Sequence, residues 1–425
     1  MEVGYSRVVI TPPIGTPMAG YAARRKPSMG VHSDLYARCV VLKQEDRVFG
    51  IVSLDLTGID RRLYENVLER VKGLGFKGEN LIIAGTHTHS GPDIFGGYSD
   101  LDHVLREMYV RKIVGAIEWA YENLTEARVV SGVGRVEEVV LNRRDPLHGA
   151  VDPRLHVVGF RTESGAYYVI VNFTCHATVL GPSNLLISPD YPGALVNFIE
   201  RNVNAKALFL NGACGDINPR ISKVSLDSPY AMKGSFKDVE WMGNVLGAEA
   251  VKTLLLSCEE REEFEYRAVK VSLGLQDFPS RSEVESELEN VLRRLSSPRD
   301  EMQEMELRLR AFKARRILRF LELYGNKGVI EVELRGLKLS DRTAMIFLPG
   351  EAFVNIGLRI KHGSGFANTM VVGYANEQIG YIPLSEDYER GGYEATFPVT
   401  ILQKGEGEKL VSEALKLLNE VLVGS

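Results

Sequence analysis

The sequence predicts an α/β fold in which central mixed β-sheets are covered by helices on their outer faces, a layered αββα-like arrangement. Two patterns carry this prediction. Short runs rich in Val, Ile and Leu alternate with longer segments whose apolar residues recur at i, i+3, i+4 and i+7, as in amphipathic helices. The short runs are too uniformly apolar for surface strands, so they suit a sheet that is covered on both faces.

Six apolar runs predict strands, in this order along the chain: ARCVVL, VFGIVSLDL, NLIIAGTH, RLHVVGFR, YYVIVNFTCHA and AKALFLNGA. The segments that predict amphipathic helices are RRLYENVLERVKGLG, VLREMYVRKIVGAIEWAYENL, DVEWMGNVLGAEAVKTLLLS and, near the end, GEKLVSEALKLLNEVL. We expect a single domain over residues 1–425. Because no segment of 20 to 50 residues repeats, solenoid and propeller folds are not expected.

Residues 282–325 differ from the rest because they are strongly charged and helical. The sequence SSPRD interrupts this segment at residues 296–300, which predicts a helical hairpin inserted into the domain. We expect a packed antiparallel pair at the surface, with a lid or a dimer contact as the open alternative. The candidates for its core-facing residues are Val284, Leu288, Val291, Leu292, Leu295, Met305, Leu309, Phe312, Ile317, Leu318 and Leu321.

The overall composition narrows the classes of partner. The formal net charge of -5 gives no electrostatic case for nucleic acid or anionic membranes. No run of about eighteen apolar residues predicts a membrane span, and the beginning of the chain lacks a secretory signal. The four cysteines show no CxxC spacing, which is typical of a reducing compartment, so we expect a cytoplasmic protein. Scarce glutamine beside plentiful Glu, Lys and Arg is a pattern common in proteins from hot environments.

The motif LIIAGTHTHSGPD places His87 and His89 at the end of a predicted strand. In an extended strand these side chains would project from the same face, about 6 to 7 Å apart at their Cα atoms. The Ser-Gly-Pro that follows forces a turn, which keeps both at the edge of the sheet where α/β proteins bind ligands. A metal or catalytic role and two ordinary loop histidines both remain open from this motif alone.

Two other apolar runs end in side chains that can bind a metal. His176 follows YYVIVNFT, and Glu351 follows the apolar run and Pro-Gly turn of MIFLPGEAF. Zinc is commonly held by histidine nitrogen together with carboxylate oxygen. Taken alone, a glutamate beside a Pro-Gly turn is more often simply solvated.

Two stretches have the character of ligand-binding loops. LFLNGACGDINP surrounds Asp216 with glycines, which suits either a tight turn or close approach of the backbone to a ligand. GYANEQIGYIPLSEDYERGGYEA, residues 373–395, carries four tyrosines without helical or strand periodicity. A long irregular aromatic segment of this kind is more often a binding loop than part of a core.

Several of these motifs occur in the order found in the neutral/alkaline (non-lysosomal) ceramidase family. The motifs that carry the resemblance are GVHSDLYAR, GTHTHSGP, NFTCHAT, NGACGDINP, LPGEAF and the GYANEQIGYIP…YEA block. Together they span roughly residues 5–395, and GTHTHSGP and the spacing of the tyrosines are the most specific. The resemblance implies a zinc-dependent amide hydrolase with one Zn²⁺ per chain.

The resemblance also implies roles for individual residues. The implied zinc ligands are His87, His176, Glu351 and Tyr381. The residues implied to act on the substrate are His89 as the acid/base, Tyr393 as a substrate contact, and Arg143 beside the reacting carbonyl, with Arg144 as the neighbouring alternative. Further residues expected to line the site are His32, Asp216 and Asn218.

The sequence departs from the family pattern in two respects. Asn218 stands where the family's GDxSP motif has serine, so a serine nucleophile at that position is excluded and metal-activated water is the expected attacker. Family members that act on ceramide usually carry a secretory signal and a C-terminal β-sandwich domain, whereas this chain ends soon after the tyrosine block. We therefore expect an N-acyl substrate that is either ceramide-like or smaller.

The sequence thus predicts a zinc-dependent hydrolase that cleaves the linear amide bond of a small N-acyl substrate, with a role in lipid metabolism left open. The alternatives are a metal-dependent esterase or phosphoesterase, an amidohydrolase-type (β/α)₈ enzyme, which also opens with an HxH motif, and a non-catalytic binding protein of the same fold. Release of free amine would distinguish the amidase from the esterase or phosphoesterase, and the absence of bound metal would indicate the binding protein. Homo-oligomerisation is open.

Overall fold

The computed structural model describes residues 1–100, 102–221, 229–325 and 327–422. Its strands are β1 Glu2–Val9, β2 Gly30–Val31, β3 Tyr36–Gln44, β4 Arg47–Leu54, β5 Leu81–Gly85, β6 Thr125–Arg135, β7 Val140–Asn142, β8 Arg154–Thr162, β9 Tyr167–Phe173, β10 Leu186–Ile187, β11 Ala205–Asn211, β12 Ile217–Pro219, β13 Cys258–Glu259, β14 Glu262–Gly274, β15 Val329–Ser340, β16 Thr343–Phe347, β17 Glu351–Ala352, β18 Asn368–Val372 and β19 Tyr381–Ile382. Its helices are α1 Arg61–Val71, α2 His103–Glu122, α3 Asp190–Asn202, α4 Phe236–Leu256, α5 Arg281–Leu295, α6 Glu301–Tyr324, α7 Val354–Gly363, α8 Ser385–Arg390 and α9 Glu406–Leu422.

Two mixed sheets form the centre of the fold. The larger has nine strands in the order β11-β9-β8-β6-β1-β3-β4-β5, with β13 paired to β6. The smaller has four strands in the order β14-β15-β16-β18. Pairs β4–β5, β9–β11 and β16–β18 are parallel, and the other pairs within these two sheets are antiparallel.

The buried side chains separate into layers that match these sheets. One cluster holds residues of both sheets, such as Ile51 of the larger and Met345 of the smaller, and so forms the layer between them. Two clusters pack helices α1 and α2, and α3 and α4, on the larger sheet. A further cluster packs α7 and α9 on the smaller sheet. This order confirms the predicted αββα-like arrangement, and the sheets of the described residues are open, which excludes the (β/α)₈ barrel.

The six predicted strands correspond to β3, β4, β5, β8, β9 and β11, and the four predicted helices to α1, α2, α4 and α9. The tyrosine block is less irregular than expected, because it contains β19 and the six-residue helix α8. Among the described helices, none has the length and apolar content needed to cross a bilayer.

The predicted hairpin is formed by α5 and α6, which pack against each other through Val291, Leu307 and Ala311. The prediction that Leu292, Met305 and Leu309 face the core is wrong. Their exposed fractions are 38%, 54% and 44%. The sequence period did not separate the narrow contact stripe between two helices from the flanking positions. One flank of α6 instead faces a cavity described below.

Asp60 anchors this hairpin to the rest of the molecule. Its carboxylate caps α1 by accepting the backbone N–H of Leu63 at 2.9 Å. It also accepts two hydrogen bonds from Arg106 of α2, at 2.6 and 2.9 Å, and one from Arg319 of α6 at 2.6 Å. Burial would raise the pKa of Asp60, but the hydrogen bonds and charges of the two arginines outweigh it and lower that pKa.

We predict that Asp60→Asn lowers the free energy of unfolding by about 3 kcal/mol at pH 7, because two partly buried guanidinium groups lose their counter-charge. Asparagine still caps α1, so the cap itself is retained. Because the pKa of Asp60 is lowered on folding, its contribution is present above the unfolded carboxyl pKa of about 3.9 and is lost as the pH falls further. Chemical denaturation at a series of pH values measures both effects.

The matched control is Asp102→Asn, since Asp102 caps α2 through Leu105 but makes no ion pair with a described residue. We expect it to change stability by less than about 0.5 kcal/mol. Equal losses in the two variants, or a loss for Asp60→Asn that grows below pH 4, would contradict this assignment.

Candidate functional site

The candidate site forms where two parallel strand pairs of the larger sheet end. His87 follows β5, and His176 follows β9. These strands lie towards opposite ends of the strand order. The larger sheet nevertheless folds back, because β11 contacts β4 and β5. The Ser53 hydroxyl donates to the carbonyl of Phe209 at 2.6 Å across this junction. Residues far apart in the sheet therefore come together at one rim.

Asn211, the last residue of β11, ties the two histidine-bearing turns to each other. Its buried amide nitrogen donates to the carbonyl of Thr86 at 3.1 Å and to the carbonyl of Cys175 at 2.9 Å. These carbonyls belong to the residues immediately before His87 and His176. One carboxamide thus fixes the separation of the backbones from which the two imidazoles project.

His87 does not lie in an extended strand, which corrects the expectation from its spacing to His89. Strand β5 ends at Gly85, and His87 has a left-handed backbone with φ of 67°. Histidine is among the residues that adopt this conformation more readily, at a cost of order 1–3 kcal/mol. The resulting bend brings Nε2 of His89 to 3.1 Å from Nε2 of His87. The ring of Tyr374 stacks on His87 at 4.1 Å.

Backbone carbonyls set the tautomers of His87 and His176. Nδ1 of His87 donates to the carbonyl of Thr57 at 2.6 Å, and Nδ1 of His176 donates to the carbonyl of Cys214 at 2.7 Å. A carbonyl can only accept, so the proton of each neutral ring is on Nδ1 and the lone pair of Nε2 faces the site. This arrangement is the usual support for a metal-binding histidine.

Both Nε2 atoms face one carboxylate oxygen. Oε2 of Glu351 lies 3.5 Å from Nε2 of His87 and 3.6 Å from Nε2 of His176. Two donors on one tetrahedral zinc ion are separated by about 3.4 Å, given bond lengths near 2.1 Å. Each Nε2 is therefore spaced from this oxygen as two ligands of one cation would be. Gln378 holds the carboxylate by donating to its other oxygen at 2.6 Å.

Tyr381 reaches the same region through a short parallel pair, β17–β19, in which Glu351 is its direct partner. Its hydroxyl accepts a hydrogen bond from Nη2 of Arg143 at 2.9 Å and lies 2.9 Å from the hydroxyl of Tyr393. Burial raises the pKa of Tyr381, so without a cation it stays a phenol. A dication at bonding distance can reverse that preference.

Arg143, rather than its neighbour Arg144, enters the site. Its fully buried guanidinium contacts both tyrosine hydroxyls and lies 3.5 Å from Nε2 of His176. Its Nε donates to Glu394 at 2.9 Å, and Arg144 donates to the second oxygen of the same carboxylate at 3.2 Å. Burial alone would lower the pKa of Arg143, but Tyr381, Tyr393 and Glu394 raise it, so the group stays positively charged.

His89 differs from the other two imidazoles in its surroundings. Its Nδ1 is buried and has no hydrogen-bond partner in the described parts of the chain. Its Nε2 lies 3.1 Å from the unprotonated Nε2 of His87, so the proton of the neutral His89 ring is on Nε2. The ring packs on Tyr21 at 4.9 Å between centroids. Burial, together with the neighbouring imidazoles, lowers the pKa of His89 well below its ordinary value. A neutral ring with one free nitrogen is ready to accept a proton.

The electrostatics of the candidate ligands favour a cation between them. Burial lowers the pKa of His87 to about 4, which keeps its ring neutral at pH 7. Burial would raise the pKa of Glu351, but His87 and His176 lower it to about 2, so the carboxylate stays ionised. Neutral imidazole and ionised carboxylate are the forms that bind divalent metals.

The three residues expected to line the site have different positions. Asn218 accepts from Arg143 at 3.1 Å, and Asp216 accepts from Val354 N–H at 2.8 Å, so both support the site from behind rather than lining its cavity. His32 is not part of the site. Its ring is exposed and stacks on Phe236 at 3.6 Å, beside a separate cavity.

A cavity of about 580 Å³ opens onto His87, His89, Glu351, Tyr381 and Tyr393. Its other lining is mostly apolar and aromatic, and one wall is the exposed flank of α6. Helices α5 and α6 therefore form a packed pair, and α6 also lines the cavity. A pocket of this size with a few polar groups at one end is typical of a small-molecule site.

The sequence did not identify two residues that organise this site, Gln378 and Glu394. Both lie inside the tyrosine block on which the resemblance partly rests, but nothing in their spacing shows that they hold Glu351 and Arg143. The local signal for Glu394 was an acidic residue among tyrosines. Its complete burial is seen only in the structure.

The fold and site define a layered α/β protein with a candidate metal centre of imidazole, carboxylate and phenol groups at the rim of its sheets. The family profile described as "Neutral/alkaline non-lysosomal ceramidase, N-terminal" matches residues 1–227. The chain therefore belongs to the neutral/alkaline non-lysosomal ceramidase family, which confirms the resemblance of its motifs.

Sequence relatives include the neutral ceramidase of Pseudomonas aeruginosa, which is 27% identical over 240 residues, 50% of this chain and 36% of that protein. That of Drosophila melanogaster is 27% identical over 260 residues, with 52% and 36% covered. That of Mycobacterium tuberculosis is 26% identical over 246 residues, with 50% and 38% covered. The matches thus span little more than a third of the length of these relatives.

Solved structures extend the likeness to almost the whole chain. The crystal structure of neutral ceramidase from Pseudomonas aeruginosa matches with a TM-score of 0.77 and 20% identity, covering 99% of this chain and 74% of that one. A ceramidase complexed with C2 matches with the same values. At this identity the likeness establishes a shared fold.

We predict that Asn211→Leu weakens zinc binding by about 10- to 100-fold, because the two histidine-bearing turns lose their shared donor. The measurement is competition for zinc with a chromophoric chelator. The matched control is Asn172→Leu, which removes an equally buried amide that donates to the carbonyls of Leu210 and Val371 instead.

Both variants should lose stability, because each removes two buried side-chain hydrogen bonds. Only Asn211→Leu should lose zinc affinity. If both variants bind zinc as the unmodified protein does, Asn211 does not set the geometry of the site.

Proposed function

We propose that this protein is a zinc-dependent amide hydrolase that cleaves an N-acyl substrate. The observation that carries the proposal is the convergence of two carbonyl-supported Nε2 atoms on one oxygen of Glu351, at 3.5 and 3.6 Å. Membership of the ceramidase family supports amide hydrolysis as the reaction. The relatives named neutral ceramidase suggest a lipid amide, and the mostly apolar lining of the cavity suits such a substrate.

The residues that would hold zinc are His87, His176, Glu351 and Tyr381. A second set is geometrically available, because ligand atoms of His87, His89 and His176 lie within 4.8 Å of one another. We favour the first set because Nδ1 of His89 lacks the hydrogen-bond acceptor that supports a metal-bound imidazole, whereas the other two rings have one. When bound, zinc supplies a Lewis acid that polarises a carbonyl and lowers the pKa of water towards 7.

The chain's own residues would then divide the reaction between two sides of the site. Arg143 and Tyr393 lie together, with Nη2 3.3 Å from the phenol oxygen, and can both donate to an oxygen that gains negative charge. Arg143 is held for this by Glu394 and by the carbonyl of Gly215. These contacts fix the direction of its guanidinium before a substrate binds.

His89 would carry the proton on the opposite side. Because its pKa is lowered, the ring is neutral at pH 7 and first accepts a proton from the attacking water. It would then deliver that proton to the amide nitrogen as the C–N bond breaks, leaving a free amine and a carboxylate. Once the lone pair of His87 is bound to zinc, Nε2 of His89, which lies 3.1 Å from Nε2 of His87, is the nitrogen at the metal end that would carry this proton.

We predict that Glu351→Gln and His176→Ala abolish stoichiometric zinc, because each removes a ligand. In contrast, His89→Gln should retain zinc and lower kcat for amine release by about 10²- to 10⁴-fold. Elemental analysis gives the zinc content, and a panel of N-acylated amines gives the amine release.

His32→Ala is the matched control, since it removes an imidazole that lies outside the site, and both readouts should be unchanged. Two results would refute the ligand set: full zinc content in both Glu351→Gln and His176→Ala, or loss of zinc from His89→Gln. Release of alcohol or phosphate without release of amine would refute amide cleavage.

A further inference from the structure

One wall of the main cavity carries an unusual pair of positive charges. Helix α6 presents Lys313 and Arg316 to the cavity, one turn apart, between Leu309 and Phe320. Leu309 is 44% exposed and Phe320 only 4%, so the Leu309 end of this wall is the mouth. Lys313, which is half-buried, therefore lies just inside the mouth of a mostly apolar cavity.

The other charged groups of this cavity have partners within the protein. Asp60 and Arg319 pair with each other. Arg316 donates to two backbone carbonyls at 2.9 and 3.2 Å. Glu351 faces the two imidazoles at the metal end. Lys313 has no hydrogen bond or ion pair with any residue that the structure describes. A substrate that fills the cavity would displace water from this ammonium, which is unfavourable unless the substrate offers a partner, so an anionic group is the complement.

A second observation points the same way. An adjoining cavity of about 290 Å³ shares Tyr21, Ala22, Tyr98 and Phe312 with the first. The basic residues that line it are Arg24, Arg25, Lys26, Arg308 and Arg315. Some of these pair with carboxylates, but the exposed Lys26 pairs with no described residue. Clefts lined by one sign of charge attract ligands of the other sign.

The direction of the wall identifies the part of the substrate that meets Lys313. His89, which would serve the amide nitrogen, packs on Tyr21, and Tyr21 borders both cavities. From there the lining continues to Tyr98 and Phe312, whose rings stack at 4.9 Å. Phe312 precedes Lys313 on α6. The amine arm of a substrate would follow this path, whereas its carbonyl oxygen would face Arg143.

We propose that Lys313 binds a carboxylate at the far end of the amine arm, so that the substrates are N-acylated amino acids and the amine product is an amino acid. This inference rests on the proposed amide hydrolysis. A carboxylate fits better than a phosphate, because the Lys313 ammonium matches one negative charge, and Nε and Nη2 of Arg316 already donate to carbonyls. A neutral amine arm would leave Lys313 without a partner.

The test uses the zinc-loaded protein and matched pairs of substrates. The members of each pair differ only in the terminal group. The pairs are N-hexanoyl derivatives of ω-amino acids with two, four, six and eight carbons, each beside the amino alcohol of the same length. We expect kcat/KM to favour the acid by about tenfold or more at one chain length, mainly through KM. N-hexanoyl aminoalkyl phosphates of equal length distinguish a carboxylate site from a phosphate site.

Three variants test the assignment to Lys313. Lys313→Met keeps the aliphatic stem and should reduce the acid-to-alcohol ratio to near one, and Lys313→Arg should restore most of it. Lys77→Met is the matched control, because Lys77 is an exposed lysine outside both cavities whose side chain has no described partner. That control should keep the ratio of the unmodified protein.

The outcomes separate this inference from the proposed reaction. An acid-to-alcohol ratio near one, a ratio that survives Lys313→Met, or a preference for the phosphate overturns the carboxylate site while leaving amide hydrolysis standing. If no amide is cleaved, calorimetric binding of the same pairs decides. Tighter binding of the acid that depends on Lys313 then supports the site without the reaction, and equal or absent binding overturns it.

Discussion

The site depends on one buried carboxamide, that of Asn211. Its two hydrogen bonds join the turn after β5 to the turn after β9, which the strand order places far apart. A nitrogen with two protons can serve two carbonyls at once, and here each carbonyl directly precedes a histidine. These two hydrogen bonds therefore hold the two histidine-bearing turns at a fixed separation.

Around Asn211, three of the candidate zinc ligands are each held by a hydrogen bond at one polar atom, which leaves the other polar atom available. The carbonyls of Thr57 and Cys214 occupy Nδ1 of two imidazoles and leave Nε2 available. Gln378 occupies one oxygen of Glu351 and leaves the other. His89 is the exception, because its Nδ1 has no partner among the described residues. This contrast separates groups that are oriented for binding from a group that is free to exchange a proton.

Much of the fold was readable from the sequence because it depends on local periodicity. The apolar runs gave the central strands, and the charged segment broken by SSPRD gave α5 and α6. Strand ends also pointed to His87, His176 and Glu351. Their convergence was implied by the family resemblance but not by their spacing, because it depends on how far the larger sheet folds back. The left-handed backbone of His87 and the support from Glu394 likewise follow from contacts between distant segments, which spacing does not encode.

The central claim is that two imidazoles and one carboxylate share a single cation while the third imidazole stays unbound. Anomalous diffraction at the zinc edge from crystals of the zinc-loaded protein tests it most directly. The account predicts one zinc ion bonded to Nε2 of His87, Nε2 of His176, the carboxylate of Glu351 and the phenol of Tyr381. Zinc bonded to His87, His89 and His176 with Glu351 outside bonding distance would contradict it.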